Sequence, residues 1–134
     1  MKDFSLKNNL AEIESLTESI VSYCQQNGID EAACYEVRLA LEEAISNTIK
    51  YGYDDQQPHT IYVRAGFENR ELLLEIEDDA NEFNPLEAPA PDFSLPVEQK
   101  PIGRLGIFLM RSIMDSVEYR RVGAKNRLRM MKRY

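Results

Sequence analysis

The apolar residues of this chain change their spacing near Gly52, and this change constrains the fold more than any other feature. Before Gly52 they mostly recur every three or four residues, which is the period of a helix that buries one face. From Thr60 to Ile76 they alternate with polar residues, which is the period of a half-buried strand. Helices and paired strands therefore occupy separate stretches of the chain, as is typical of an α+β fold.

The periodic segments follow one another in the order β, α, α, β, β, loop, α, β, β. With helices bunched together and strands in adjacent hairpins, the order predicts a two-layer α/β sandwich. Three helices would cover one face of a mostly antiparallel sheet, in a single domain over residues 1–134. The first predicted helix is capped by Asn8 or Asn9 and runs to about Asn27, the second is capped by Asp30 and stopped by Gly52, and the third follows Gly106. The predicted strands are 3–7, 60–67, 72–76, 117–121 and a last one through Leu128 and Met130.

Five of the six prolines lie between Glu82 and Pro101, where no helical or strand period survives. A loop of this length is uncommon inside a compact domain and is usually a lid over a functional site or a disordered segment. The sequence therefore predicts a long lid loop immediately before the third helix.

The formal net charge of -7 argues against a nucleic-acid partner, because binding phosphate backbones requires a basic surface. Basic residues do crowd the last strands, where they form either a solvated hairpin or a site for an anionic partner. No apolar run reaches the roughly 20 residues that span a bilayer, and no export signal is visible. We therefore expect a cytoplasmic protein without a membrane partner, in which Cys24 and Cys34 are reduced, buried thiols.

Three polar islands interrupt otherwise apolar elements. Glu43 and Asn47 are four residues apart and share one face of a helix, so a carboxylate able to accept a proton lies beside an amide oxygen able to hold a hard cation. Asp78 ends a strand, and Gly103 and Gly106 open a helix whose free N–H groups suit a phosphate. Each island alone has an ordinary structural interpretation, as solvated surface, a turn or a flexible connection. His59, the single histidine, lies beside Pro58 in a predicted turn and is assigned no role.

The three islands and the proline-rich loop, taken in order, resemble the ATPase and kinase fold shared by histidine kinases, DNA gyrase and MutL, called the Bergerat or GHKL fold. Within it, the chain is most similar to the small anti-sigma-factor serine/threonine kinases of the partner-switching type. The stretch EEAISNTIKYGY resembles the family's N-box. The resemblance implies that Glu43 is the general base and that Asn47 binds the Mg²⁺ that bridges the ATP phosphates.

Two further stretches carry the resemblance. EDDANEFNP resembles the adenine-reading box, which implies that Asp78 accepts a hydrogen bond from the adenine amine, with Ala80 in place of a glycine and Phe83 at the start of the lid. PIGRLGIFLMRSIMD resembles the phosphate-binding glycine box, with Gly103, Leu105 and Gly106 matching and Arg104 in place of a glycine. Arg104 either adds a positive charge for the phosphates or marks a loop that no longer cradles ATP.

The resemblance implies an ATP- and Mg²⁺-dependent protein kinase with two clients. One is a STAS-type anti-sigma-factor antagonist that is phosphorylated on Ser or Thr, and the other is a sigma factor or another regulator that is sequestered. A homodimer is also typical of the family. Two alternatives remain: a regulatory module of the same fold that transfers no phosphate, which Ala80 and Arg104 favour, and a detached ATPase domain of a sensor kinase.

Overall fold

The computed structural model of the chain describes residues 1–87 and 104–134, with only the backbone at Arg104 and Leu105. The strands are β1 (Lys2–Lys7), β2 (Thr60–Glu68), β3 (Glu71–Asp78), β4 (Ser116–Val122) and β5 (Lys125–Arg133). The helices are α1 (Ile13–Gln26), α2 (Glu31–Tyr51) and α3 (Arg104–Ile113), with 3₁₀ turns at Leu10–Glu12 and Pro85–Glu87. No helix within the described residues is long and apolar enough to cross a membrane.

The five strands form one sheet in the order β1-β2-β3-β5-β4, and every neighbouring pair is antiparallel. The β2–β3 connection is a two-residue turn in which Asn69 and Arg70 have φ angles of 51° and 62°. Two consecutive positive φ values are typical of the type I′ turn, whose twist matches that of the flanking strands. The predicted hairpin and the antiparallel sheet are therefore confirmed.

All three helices contribute to a core on one face of this sheet. Every second strand residue points into this core, and the apolar faces of the helices pack against it. Each fully buried Leu or Ile contributes about 1.5–3 kcal/mol relative to an exposed one. The predicted α+β sandwich with helices on one face is confirmed by side chains with at most 1% exposure, among them Ile20, Leu41, Ile45, Ile61, Leu74, Met110 and Met130.

The opposite face of the sheet carries a ladder of cross-strand ion pairs. Glu75 on β3, only 6% exposed, lies 2.8 Å from Arg129 and 3.8 Å from Arg127. Glu77 lies 2.9 Å from Arg127, and the hydrogen bond from that guanidinium lowers the pKa of Glu77. Opposite charges directly across an antiparallel pair stabilise it. Four of the basic residues of β5 therefore pair with glutamates of β3, and Lys132 pairs with Glu36 of α2, which favours the structural interpretation of the C-terminal charge cluster.

The predicted cap at Asn9 is confirmed, because its side chain accepts a hydrogen bond from the Ala11 amide at the start of a 3₁₀ turn that leads directly into α1 at Ile13. The predicted start of the third helix was wrong. Helix α3 begins at Arg104 and not after Gly106, so part of the glycine box lies in its first turn. Arg and Leu are good helix formers, and nothing in the box prevents them from extending the helix. The predicted lid falls largely on residues 88–103, which lie outside the described residues.

Candidate functional site

A cleft of about 910 Å³ opens between the C-terminal half of α2, the start of α3 and the ends of β3 and β5. Clefts of this size suit a small-molecule ligand. Helix α2 supplies one wall, and the segment that follows β3 supplies the wall opposite. The lining residues include Glu43, Asn47, Thr48, Tyr51, Gly52, Ile76, Asp78, Ala80, Asn81, Phe83, Ile107, Met110, Tyr119 and Asn126.

The structure brings most of the predicted site residues to this one cleft. Those that line it are Glu43, Asn47, Asp78, Ala80 and Phe83. Gly106 adjoins it through its contact with Glu43. Gly103 lies outside the described residues, and Arg104 and Leu105 are described only as backbone in the first turn of α3.

Helix α2 presents Glu43 and Asn47 one turn apart on the face that lines the cleft. Both side chains are half-buried, and no described residue forms a hydrogen bond with the amide of Asn47. A carboxylate and an uncommitted amide oxygen are the kinds of ligand that Mg²⁺ prefers, usually alongside substrate phosphates and water. The donor set therefore fits a Mg²⁺ ion that is shared with a phosphate.

Gly106 on α3 lies directly against the side chain of Glu43. A Cβ atom added to Gly106 would lie 3.1 Å from Cδ of Glu43 and closer still to its Oε2. Only a glycine leaves room for the carboxylate at this point. The carboxylate therefore lies beside the first turn of α3, where unpaired helix N–H groups favour negative charge.

Asp78, the last residue of β3, is 6% exposed. Its Oδ1 accepts hydrogen bonds from the Ala80 amide at 3.0 Å and from Asn126 Nδ2 at 2.9 Å. Burial raises the pKa of Asp78, although both hydrogen bonds oppose that rise. Asp78 lines the cleft, and both of these hydrogen bonds are on Oδ1, so among the described contacts Oδ2 is left for a ligand. A carboxylate oxygen at such a place can accept a hydrogen bond from a ligand amine.

Asn126 is a site residue that sequence reasoning missed. Its amide nitrogen donates to Asp78 and to the carbonyl oxygens of Ala80 and Asn81, at 2.9, 3.2 and 3.0 Å. Its Oδ1 accepts from Tyr119 Oη at 2.6 Å and from Arg121 Nη1 at 3.1 Å. One buried amide thus fixes both the carboxylate of Asp78 and the backbone that follows it.

Gly52 and Ala80 pack together where the two walls of the cleft meet. A Cβ atom on Gly52 would lie 2.8 Å from that of Ala80 and 2.6 Å from the Thr48 carbonyl oxygen. The Asn81 amide donates to the Gly52 carbonyl at 2.9 Å. Ala80 is accommodated in place of the family's glycine because a glycine lies opposite it. Its side chain is 3% exposed, so it is largely covered by the protein.

Comparison with known proteins identifies the family and supports the fold. Residues 6–132 match the family model described as the histidine kinase-like ATPase domain. Serine/threonine-protein kinase BtrW of Bordetella bronchiseptica is 26% identical over 94 residues, which are 70% of this chain and 66% of BtrW. Serine-protein kinase RsbW of Bacillus velezensis is 30% identical over 87 residues, which are 62% of this chain and 54% of RsbW. The matched regions thus span about half to two thirds of these curated relatives.

Two solved structures share the fold. The RsbU and RsbW domains of Rv1364c from Mycobacterium tuberculosis align with a TM-score of 0.65 at 7% identity, over 99% of this chain and 32% of that one. The histidine kinase domain of the blue-light activated kinase EL346 from Erythrobacter litoralis aligns with a TM-score of 0.60 at 13% identity, over 92% and 60%. At such identities the likeness concerns the fold alone.

Proposed function

The chain belongs to the histidine kinase-like ATPase domain family, and from that premise we propose that it is an ATP-dependent protein serine/threonine kinase of the anti-sigma-factor type. Its relative BtrW is named a serine/threonine-protein kinase, and RsbW is named a serine-protein kinase. The proposed clients are a STAS-type antagonist, which receives the phosphate, and a sigma factor or another regulator, which is sequestered. We place this exchange in the cytoplasm.

The observation that carries the proposal is that Glu43, Asn47 and Asp78 line one cleft. These residues come from two elements on opposite walls, and their chemistry suits the two ends of ATP. Oδ2 of Asp78 would accept the exocyclic amine of adenine. Asn47 would supply an oxygen ligand to Mg²⁺ at the phosphates, where the ion neutralises charge as phosphoryl transfer proceeds.

Glu43 is the proposed general base. The client hydroxyl oxygen attacks the γ-phosphorus, its proton passes to the Glu43 carboxylate, and the bond from phosphorus to the β–γ bridging oxygen breaks to release ADP. The contact with Gly106 keeps this carboxylate beside the first turn of α3. Backbone N–H groups at that turn would receive the phosphates.

A second function, binding without phosphoryl transfer, is favoured by the same contact. The Glu43 carboxylate lies beside the helix start at which the phosphates would be received. If the carboxylate remains at that turn when nucleotide binds, it competes with the phosphates for the helix N–H groups, and nucleotide would then be bound without being placed for transfer.

Nucleotide binding is tested by the melting temperature with and without Mg-ATP. A ligand at 100 times its dissociation constant stabilises the native state by about 2.7 kcal/mol, so wild-type protein should melt several degrees higher with Mg-ATP. Asn47→Ala should lose most of that shift. Ser46→Ala is the matched control, since among the described residues its hydroxyl donates only to the Glu43 carbonyl and it does not line the cleft. Equal shifts in both variants would show that Mg²⁺ is not held by Asn47.

Catalysis is tested by transfer of label from γ-labelled ATP to a STAS-type antagonist. Glu43→Gln should retain binding and lose transfer by about 100-fold or more, which is a typical contribution of a general base. Glu42→Gln removes the same charge one residue away and should transfer normally, because Glu42 faces Arg38 outside the cleft. Binding without any transfer by the wild type would instead establish the non-catalytic function.

A further inference from the structure

His59, which the sequence left without a role, lies between two aspartates. Its Nδ1 is 2.9 Å from Asp79 Oδ2, and its Nε2 is 2.8 Å from Asp55 Oδ2. The ring also stacks on Tyr53, with centroids 4.4 Å apart, and the Tyr53 hydroxyl donates to Asp79 at 3.3 Å. The side chain of His59 is 17% exposed, so these contacts surround most of it. We call these four side chains the histidine clamp.

The clamp joins the two segments that form one end of the cleft. Tyr53, Asp55 and His59 belong to the connection between α2 and β2, whereas Asp79 directly follows Asp78. The same two segments meet again where the Asn81 amide donates to the Gly52 carbonyl. The clamp therefore helps to hold the segment that carries Asp78 against the end of α2.

His59 can donate hydrogen bonds to both Asp55 and Asp79 only when its imidazole is protonated. A neutral ring has one N–H donor and one lone pair, so it can donate to Asp55 or to Asp79 but not to both. Loss of the proton would set a lone pair against a carboxylate less than 3 Å away. It would also increase the negative charge beside the adenine end of the cleft by one unit.

The other groups near the imidazole of His59 do not substitute for its positive charge. From β1 and its end, Asn8 pairs with the backbone of His59, and the Lys7 amine donates to Thr60 Oγ1 at 2.8 Å. Asp54 is exposed and forms no contact with the ring. The hydrogen bond to Asp79, followed by that to Asp55, raises the pKa of His59. Its titration in the folded chain therefore lies above the usual value of about 6.5.

We propose that His59 is a positioning residue that couples adenine-nucleotide affinity to pH: the protonated clamp holds Asp78 in its nucleotide-reading place, and deprotonation releases it. This inference rests on the proposed binding of ATP in the cleft. By linkage, nucleotide binding raises the pKa of His59, and affinity falls as pH rises through that pKa.

Two measurements on the full chain test the coupling. Because the chain has a single histidine, NMR of the imidazole follows His59 without assignment ambiguity, with and without Mg-ATP. Calorimetric titration gives the dissociation constant of Mg-ATP across the same pH range. We expect the constant to rise about fivefold or more across the titration, at the lower end of couplings between linked sites.

Variants distinguish the effect of His59 titration from the effects of other titrating groups. The terminal phosphate of ATP itself titrates near pH 6, so the wild-type profile is compared with that of His59→Gln, which lacks the imidazole but keeps the titration of the nucleotide. Asp55→Asn keeps the histidine but removes one carboxylate, so the fall in affinity should move to lower pH. Asp54→Asn removes the same charge from the neighbouring exposed residue and should leave the profile unchanged.

The outcomes distinguish the two proposals. A pKa of His59 that rises on binding, together with an affinity that falls only in chains that retain His59, supports the coupling. Tight binding with the same pH profile in wild type and His59→Gln overturns the coupling and leaves the proposed function intact. If Mg-ATP fails to bind at any pH, including where NMR shows His59 fully protonated, the proposed function fails and the coupling with it.

Discussion

Replacing Asn126 with Ala should be one of the most damaging single polar changes near the cleft. The substitution removes the 2.9 Å bond to Asp78, a charge-assisted bond that contributes about 1.5–3 kcal/mol. It also removes the only described partner of the Asn81 carbonyl and a 2.6 Å bond from Tyr119, at about 1 kcal/mol each. Because these side chains reach the cleft and water can replace some bonds, we expect a loss of about 3 kcal/mol of unfolding free energy.

Urea unfolding followed by circular dichroism measures this loss. In a chain of this length, about 3 kcal/mol corresponds to a fall of roughly 10–15 °C in the melting temperature. Tyr119→Phe is the matched control, because it removes only the hydroxyl that bonds Asn126 and should cost about 1 kcal/mol. If Asn126→Ala costs no more than Tyr119→Phe, then Asn126 does not hold the Asp78 segment together.

Three further outcomes are expected. Gly106→Ala should displace the Glu43 carboxylate and lower the rate of phosphoryl transfer at least tenfold, measured with labelled ATP, while Mg-ATP still raises the melting temperature. His59 should stabilise the fold fully below about pH 6.5 and lose that contribution as pH rises through its raised folded-state pKa, so urea unfolding of wild type and His59→Gln should converge at high pH. Burial raises the pKa of Cys24 to about 12 and also raises that of Cys34, so a thiol reagent such as DTNB should modify both thiols only after unfolding.

The fold could be predicted from the sequence because its main elements carry strong periods. Val63 and Ala65 alternate with polar neighbours, and both are fully buried in β2. The spacing of Glu43 and Asn47 likewise placed both side chains on one helix face without knowledge of the rest of the fold. The start of α3 could not be predicted, because Arg104 is as compatible with a helix as with a loop.

Asn126 and His59 could not be found because their roles depend on contacts distant in sequence. Asn126 lies 48 residues after Asp78 and reaches it only because the β3–β5 register sets the two residues opposite each other. A correct prediction of the β3–β5 register would have indicated the contact between Asn126 and Asp78, because directly paired residues share a face of the sheet. His59 meets Asp79 from a turn whose own sequence gives no indication of that contact.

The geometry at the end of β3 would let one short segment serve both the proposed adenine recognition and its proposed control by pH. Successive side chains of an extended chain point to opposite sides, so Asp78 faces the cleft while Asp79 faces His59. The two residues are joined by one peptide unit, so under this proposal a change in the partner of Asp79 would reach Asp78 through the backbone alone. No chain of intervening side chains is required, and Asn126 opposes the change by holding Asp78 from the other side. Weakening that restraint should therefore increase the effect of His59 on nucleotide affinity, since a loosely held Asp78 follows its neighbour more freely.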